Sequence, residues 1–181
     1  METIGFLELN SIAKGMLAVD GMLKAADVKL ISAKPGCPGK YNILISGEVT
    51  AVEASMEAGY RLSGENAIGQ LVIPRLHPQV IAAMNMTSLP ERLNAVGIIE
   101  CFSIAAAIYA ADTAAKDSGV TLLELRLGTG IGGKSFVIMT GDVASVEAGV
   151  QAGGQKAQAE GMLVNQVVIP SPHPDLFLNL Y

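Results

Sequence analysis

The chain has 181 residues, of which 50% are hydrophobic, 4% aromatic and 16% charged, and its formal net charge is −5. The negative charge and the absence of basic clusters argue against nucleic acid as a partner. Charged residues interrupt every apolar run before it reaches the roughly 18 residues of a transmembrane helix, and the N-terminus lacks a signal pattern, so we expect a cytoplasmic protein with no membrane partner. The charged share is below the about 25% of typical domains, which predicts a surface covered by neighbouring molecules.

Two long stretches of the sequence are similar to each other. The segment Ile4–Glu8 returns as Val96–Glu100. A repeat of this length exceeds the roughly 20 to 50 residues of solenoid repeats and has the size of a small domain. We therefore predict one domain at residues 1–84, a linker at 85–94 and a second domain at 95–181. Three such chains around an axis would form a ring with six similar sectors.

Each repeat is predicted to have the element order βαββαβ. In the first repeat the predicted elements are a strand at Thr3–Leu9, a helix capped by Ser11, strands at Val28–Ala33 and Tyr41–Ser46, a helix from Val49, a strand at Leu71–Ile73 and a short helix at Pro78–Met84. Periodicity of the apolar residues separates the strands from the helices, and Gly and Pro mark the loops. This order predicts an α+β fold of two tandem ferredoxin-like units, each a sheet with two helices on one face.

The predicted loop at Lys34–Lys40 carries one cysteine between prolines and glycines. Pro38 stiffens the loop, while Gly36 and Gly39 allow close approach of the backbone, which suits an anion or metal site. One Cys37 per chain cannot supply the four thiolates of a cubane cluster, although a three-fold axis would bring three together. Lone loop cysteines are commonly free, because metal sites normally show paired ligands. The residues alone leave both interpretations open.

The loop at the same place in the second repeat matches a nucleotide-binding pattern. Gly128–Ser135 satisfies G-x-x-x-x-G-K-[ST], and a small nucleotide-binding enzyme is therefore an alternative hypothesis. A phosphate-binding loop needs a helix that begins at the lysine, whereas the sequence after Ser135 predicts a strand. Ile131 stands where the first repeat has its cysteine. We predict that Gly130, Ile131 and Gly132 form a second pore loop that offers only backbone amides.

Three other residues were considered as reactive groups. His77 and His173 each precede a proline at the same point of the two repeats, and we expect neither to pair with an acid or a thiol, so we interpret both as structural turns. Cys101 ends a predicted strand and is expected to be a buried thiol. The sequence predicts no catalytic residue.

Several motifs together resemble the bacterial microcompartment shell-protein domain. They are the openings IGFLELNSIAKGM and VGIIECFSIAAAI, the GEV and GDV turns, and the strand ends VIPRLHP and VIPSPHP. Two unpermuted domains in tandem resemble the trimeric shell proteins of this family. The resemblance implies a homotrimer that forms a flat pseudohexameric tile beside hexameric shell proteins. It also implies a location in the shell of a microcompartment in the cytoplasm, and a structural role without catalysis.

The resemblance also implies roles for particular residues. The CPGK element at Cys37–Lys40 is similar to a pore loop whose cysteine binds a 4Fe-4S cluster on the trimer axis, with one cluster per trimer. Such a cluster would serve electron transfer across the shell to a redox partner. A tile with an open metabolite pore and a free Cys37 is the alternative. Lys24, Arg75 and Lys116 match residues at the tile edge, although Ser171 replaces the arginine in the second repeat.

Overall fold

The computed structural model describes residues 3–87 and 93–178. In chain order the elements are β1 (Thr3–Leu9), α1 (Ile12–Ala25), β2 (Lys29–Gly36), β3 (Lys40–Gly47), α2 (Val49–Ser63), a 3-10 turn (Gly64–Asn66), β4 (Ala67–Ile73), α3 (Pro78–Met84), β5 (Ala95–Cys101), α4 (Ile104–Asp117), β6 (Thr121–Leu127), β7 (Ser135–Gly141), α5 (Val143–Ala159), β8 (Leu163–Ile169) and α6 (Pro174–Leu178). Across these two described ranges, no helix has both the length and the apolar character needed to cross a membrane.

The chain forms two compact units, residues 1–76 and 77–181. Each unit holds one four-stranded antiparallel sheet, with the strand order β2-β3-β1-β4 in the first and β6-β7-β5-β8 in the second. This order is that of the ferredoxin-like unit, so the predicted fold is confirmed. Ser11 and Ser103 cap α1 and α4 by accepting hydrogen bonds from backbone amides in the first turn.

In the first unit, α1 and α2 pack on one face of the sheet. Every second residue of β1 and β3 points into that core, as expected for the two-residue period of a strand. The core residues from the sheet are Leu7, Leu9, Ile43 and Ile45, and those from the helices are Ala18, Met22, Val52 and Met56. Ile4 and Phe6, which lie on the opposite face of β1, are also buried, so apolar residues line both faces of this strand.

The first hairpin is longer than the sequence predicts. Pro35 and Gly36 were assigned to a loop, but they pair with Tyr41 and Lys40 as part of the β2–β3 ladder. Because β2 is an edge strand, Pro35 can lie there without removing a hydrogen bond from the interior of the sheet. The loop is thereby reduced to three residues, Cys37 to Gly39. The strand predicted at Leu71–Ile73 is also longer and begins at Ala67.

The short helix α3 belongs to the second unit by its contacts. It packs against β6 and α4. The sequence predicts that residues 78–84 belong to the first domain, because they follow its last strand directly. The position of α3 depends on contacts with residues far along the chain, which its own sequence does not reveal. Residues 88–92 of the predicted linker 85–94 lie outside the described residues.

Candidate functional site

Cys37 lies at the tip of the β2–β3 hairpin. The last ladder pair is Gly36 with Lys40, so the cysteine begins a turn of three residues. Gly39 has a φ of 76°, a left-handed conformation that favours glycine, and a side chain on Gly36 would collide with Asn42. Cys37 is a free, partly exposed thiol. Within residues 3–87 and 93–178 of one chain, no three His, Cys, Asp or Glu side chains come together as a metal site.

An ion pair joins the base of each hairpin to the neighbouring strand. Lys40 Nζ lies 3.0 Å from Glu8 Oε1 in the first unit, and Lys134 Nζ lies 2.9 Å from Glu100 Oε1 in the second. The first pair is the more buried, with Glu8 almost inaccessible to solvent. The sequence motifs alone do not mark these glutamates as site residues. The signal that could have revealed them is the return of both glutamate and lysine at the same places in the second repeat.

The hairpin of the second unit ends in a longer loop. The loop is closed by two backbone hydrogen bonds, Gly128 N to Lys134 O at 3.1 Å and Lys134 N to Ile131 O at 3.3 Å. Gly130 and Gly132 have φ values of 77° and 67°. The residue after the loop, Ser135, begins strand β7 rather than a helix. No helix N-terminus is therefore available to meet a phosphate, and the phosphate-binding-loop alternative is not supported.

The second cysteine has a different environment from the first. Cys101 ends β5 and is fully buried. Burial raises the pKa of its thiol to about 11, and the negative charge of Glu100 contributes in the same direction. A thiol with this pKa is protonated near neutral pH, so Cys101 is a poor nucleophile and a poor metal ligand. The expectation of a buried thiol is confirmed.

The three residues assigned to a tile edge lie in different environments. Lys24 is exposed on α1, where its Nζ lies 2.6 Å from Asp20 Oδ2. Lys116 makes the equivalent pair with Asp112 at 2.5 Å but is about half as exposed. Arg75 is exposed after β4 and has a φ of 55°, in the left-handed region. Their role at an edge stays a prediction.

The two histidines cap the short helices α3 and α6. Gln79 N donates to His77 Nδ1 at 3.4 Å, and Asp175 N donates to His173 Nδ1 at 3.2 Å. Each histidine is followed by a proline at the first helical position, where the missing N–H is not needed. Both therefore end a turn and start a helix, as the sequence predicts. His173 Nδ1 also lies 3.5 Å from Asp175 Oδ2, so the expectation that neither histidine has an acid partner is wrong for His173.

Comparison with known proteins identifies the family. The sequence profile of the BMC domain matches residues 3–76 and again residues 95–172. The chain belongs to the family of bacterial microcompartment (BMC) shell proteins. It is 42% identical over 176 residues to the bacterial microcompartment shell protein PduT of Citrobacter freundii, an alignment that covers 97% of this chain and 96% of the relative. This BMC-domain chain is thus a tandem shell protein and not an enzyme.

Two further similarities support the duplicated architecture. A crystal structure of a microcompartment protein from Desulfitobacterium hafniense DCB is 55% identical, with a TM-score of 0.91 over 97% of this chain and 98% of that one. The shell protein EutM of Salmonella typhimurium (strain LT2) is 39% identical over 85 residues, which are 46% of this chain and 85% of the relative. About half of this chain therefore corresponds to most of the length of EutM.

Proposed function

We propose that the protein is a homotrimeric facet tile of a microcompartment shell that carries a 4Fe-4S cluster on its three-fold axis. Two BMC domains per chain give six similar sectors per trimer, which lets the tile stand among hexameric shell proteins. The similarity to PduT along nearly the whole of both chains supports a role of the same kind. The observation that carries the cluster is the position of Cys37, a free and partly exposed thiol at the tip of a hairpin.

The residues of the first hairpin fit such a cluster if three chains share it. A cubane cluster needs thiolate ligands, and each chain offers one accessible cysteine. Three copies of Cys37 would bind three irons and leave the fourth iron for another ligand. When bound, a cluster of this kind supplies a one-electron redox centre, which suits exchange with a redox partner on either side of the shell.

The other loop residues would control the surroundings of the three thiols. Gly36 and Gly39 remove side chains next to the cysteine, so backbone amides can approach the site closely. The ion pair between Lys40 and Glu8 fixes the base of the hairpin and neutralises a positive charge close to the thiol. Ile131 occupies the corresponding loop of the second domain, so only three of the six sectors provide a thiol.

The edge residues complete the proposed tile. Lys24 is exposed on α1 and Arg75 is exposed after β4, so both can reach a neighbouring tile. Lys116 retains about a third of its side-chain exposure beside α3. Because Ser171 replaces Arg75 in the second domain, the two kinds of edge are not equivalent and could select different neighbours.

Two measurements on the same sample test this function. Native mass spectrometry should give a trimer, and iron analysis after anaerobic reconstitution should saturate at about four irons per three chains. A trimer that binds no iron and shows no visible absorption would support the alternative, a tile with an open metabolite pore and a free Cys37. A monomer at micromolar concentration would contradict the tile itself.

A further inference from the structure

The same surface is exposed in the first domain and buried in the second. This α1–β2 surface consists of Met16, Leu23 and Leu30, which are 55%, 40% and 39% exposed. The repeat counterparts on α4 and β6 are Ile108, Ala115 and Leu122, which are 0%, 7% and 0% exposed. Large apolar side chains in one contiguous patch normally mark a surface that a partner covers. The two domains therefore share one repeated surface, which is exposed in the first domain and buried in the second.

In the second unit, α3 contributes directly to the cover. The helix packs against β6 and α4, with Val80 completely buried. Two hydrogen bonds fix its position: His77 N donates to Asp112 Oδ1 at 2.7 Å, and Leu122 N donates to Gln79 Oε1 at 2.8 Å. The second bond satisfies an amide on the outer edge of an edge strand, at a register shift in β6.

The counterpart of α3 in the second repeat is α6, whose first two residues, Pro174 and Asp175, are exposed. His173 caps α6 through the same contact that His77 makes, and Pro174 stands where Pro78 stands. His173 and Asp175 each keep 76% of their side-chain exposure. Leu176 corresponds to Val80 but is only partly buried. α6 therefore begins in the same way as the docked helix α3, while His173, Pro174 and Asp175 remain exposed.

The first domain also keeps the atoms that α3 uses in the second. Asp20 Oδ2 accepts a hydrogen bond from Lys24, just as Asp112 Oδ2 accepts one from Lys116. In the second domain the other oxygen, Asp112 Oδ1, accepts from His77 N. Its counterpart in the first domain is Asp20 Oδ1. Leu30 lies at a register shift in edge strand β2, as Leu122 does in β6. The acceptor and the edge amide thus recur beside the exposed apolar patch.

We propose that α6 of one protomer, with His173 as its cap, docks on the α1–β2 surface of a second copy and reproduces there the contact that α3 makes with α4 and β6. The partner is a second copy because the α1–β2 surface and the start of α6 are both exposed within a single chain. Each copy then carries one donor helix and one acceptor surface, a head-to-tail contact that can close into a ring. This inference rests on the proposed trimer, in which the contact between α6 and the α1–β2 surface would join each protomer to the next.

Two variants that each introduce a negative charge test the contact, one on each of its two surfaces. Met16→Glu places a carboxylate in the acceptor surface, and Leu176→Glu places one on the donor helix. Met16 is exposed in the single chain and Glu resembles Met in helix propensity, so the Met16→Glu domain should fold, which circular dichroism would verify. Met162→Glu is the matched control at an exposed methionine of the second domain. The readout is the mass of the assembly by light scattering and native mass spectrometry.

The expected results follow from the burial of an unpaired charge. Each of Met16→Glu and Leu176→Glu should weaken assembly by about 30-fold or more, whereas Met162→Glu should remain a trimer. An equimolar mixture of the two weakened variants should form a one-to-one heterodimer, because the intact helix of one fits the intact surface of the other. A trimeric Met16→Glu variant, or a mixture without heterodimer, would overturn the docking while leaving the tile intact. A monomeric wild-type protein would instead contradict the proposed function.

Discussion

Lys40 Nζ lies 3.0 Å from Glu8 Oε1, and this ion pair ties the hairpin that carries Cys37 to the central strand β1. The repeat-related pair of Lys134 and Glu100 is slightly shorter, at 2.9 Å, but far more exposed, with 44% and 33% of the two side chains accessible. The chain thus contains the same ion pair in two environments. A buried carboxylate depends on its partner much more than an exposed one, because solvent cannot replace the lost charge.

We expect Lys40→Met to cost about 2 to 3 kcal/mol of unfolding free energy, since it leaves the Glu8 carboxylate buried and unpaired. Lys134→Met is the matched variant and should cost less than about 1 kcal/mol, as exposed pairs do. Urea denaturation of the two variants measures the difference. Equal losses would show that the burial of Glu8 does not control the strength of its ion pair.

Cys37→Ser should remove the iron and the visible absorption of anaerobically reconstituted protein, because the hydroxyl replaces the only thiol at the hairpin tip. Cys101→Ser is the control and should leave both signals unchanged, since that thiol is buried at the end of β5. Assembly should survive in both variants, because three loop tips contribute little to the packing of sheets and helices. Retention of the cluster in Cys37→Ser would refute the proposed ligand.

The two thiols should also differ in their reaction with iodoacetamide when no cluster is bound. At pH 8 about one in a thousand Cys101 thiols is ionised, given its pKa of about 11, so only Cys37 should be labelled in the folded protein. Labelling of Cys101 should rise as the pH approaches 11. Because the folded-state pKa is above that of the unfolded chain, the corresponding stability is present at neutral pH and is lost as the pH rises through about 11.

Peptide mass mapping of the labelled protein distinguishes the two cysteines, and labelling in denaturant, where both should react, is the control. Rapid modification of Cys101 in the folded protein at pH 8 would mean that its burial is transient.

Lys24→Glu should leave the trimer intact but prevent its extension into sheets. The lysine is 73% exposed, and its counterpart Lys116 keeps 34% exposure beside α3, so the charged end should remain accessible after docking. Loss of the exposed pair with Asp20 should change stability by less than about 1 kcal/mol. Light scattering would report the trimer, and negative-stain electron microscopy would report the sheets.

Arg61→Glu makes the same change in charge at an exposed position near the end of α2 and should still form sheets. Dissociation of the Lys24→Glu trimer would place Lys24 within the ring contact rather than at the outer edge. If the Lys24→Glu variant still forms sheets, Lys24 does not contribute to the contact between tiles.

Local patterns in the sequence predicted most of the fold. The repeat of Ile4–Glu8 as Val96–Glu100 revealed the duplication, and the two periods of apolar residues separated strands from helices. Gly and Pro marked the hairpin around Cys37, but they predicted too long a loop, because the pairing of Pro35 with Tyr41 extends the ladder past the proline. Pairing between strands can override the local preference of a residue at a sheet edge.

Residue order and short-range periodicity are enough to show a tandem duplication with one cysteine at a hairpin tip. The folded chain was needed to show that Glu8 pairs with Lys40 and that α3 packs against β6 and α4. It also shows that Met16 is exposed where Ile108 is buried. Such contacts join residues tens of positions apart, and their energies depend on burial, which exists only after the chain has folded.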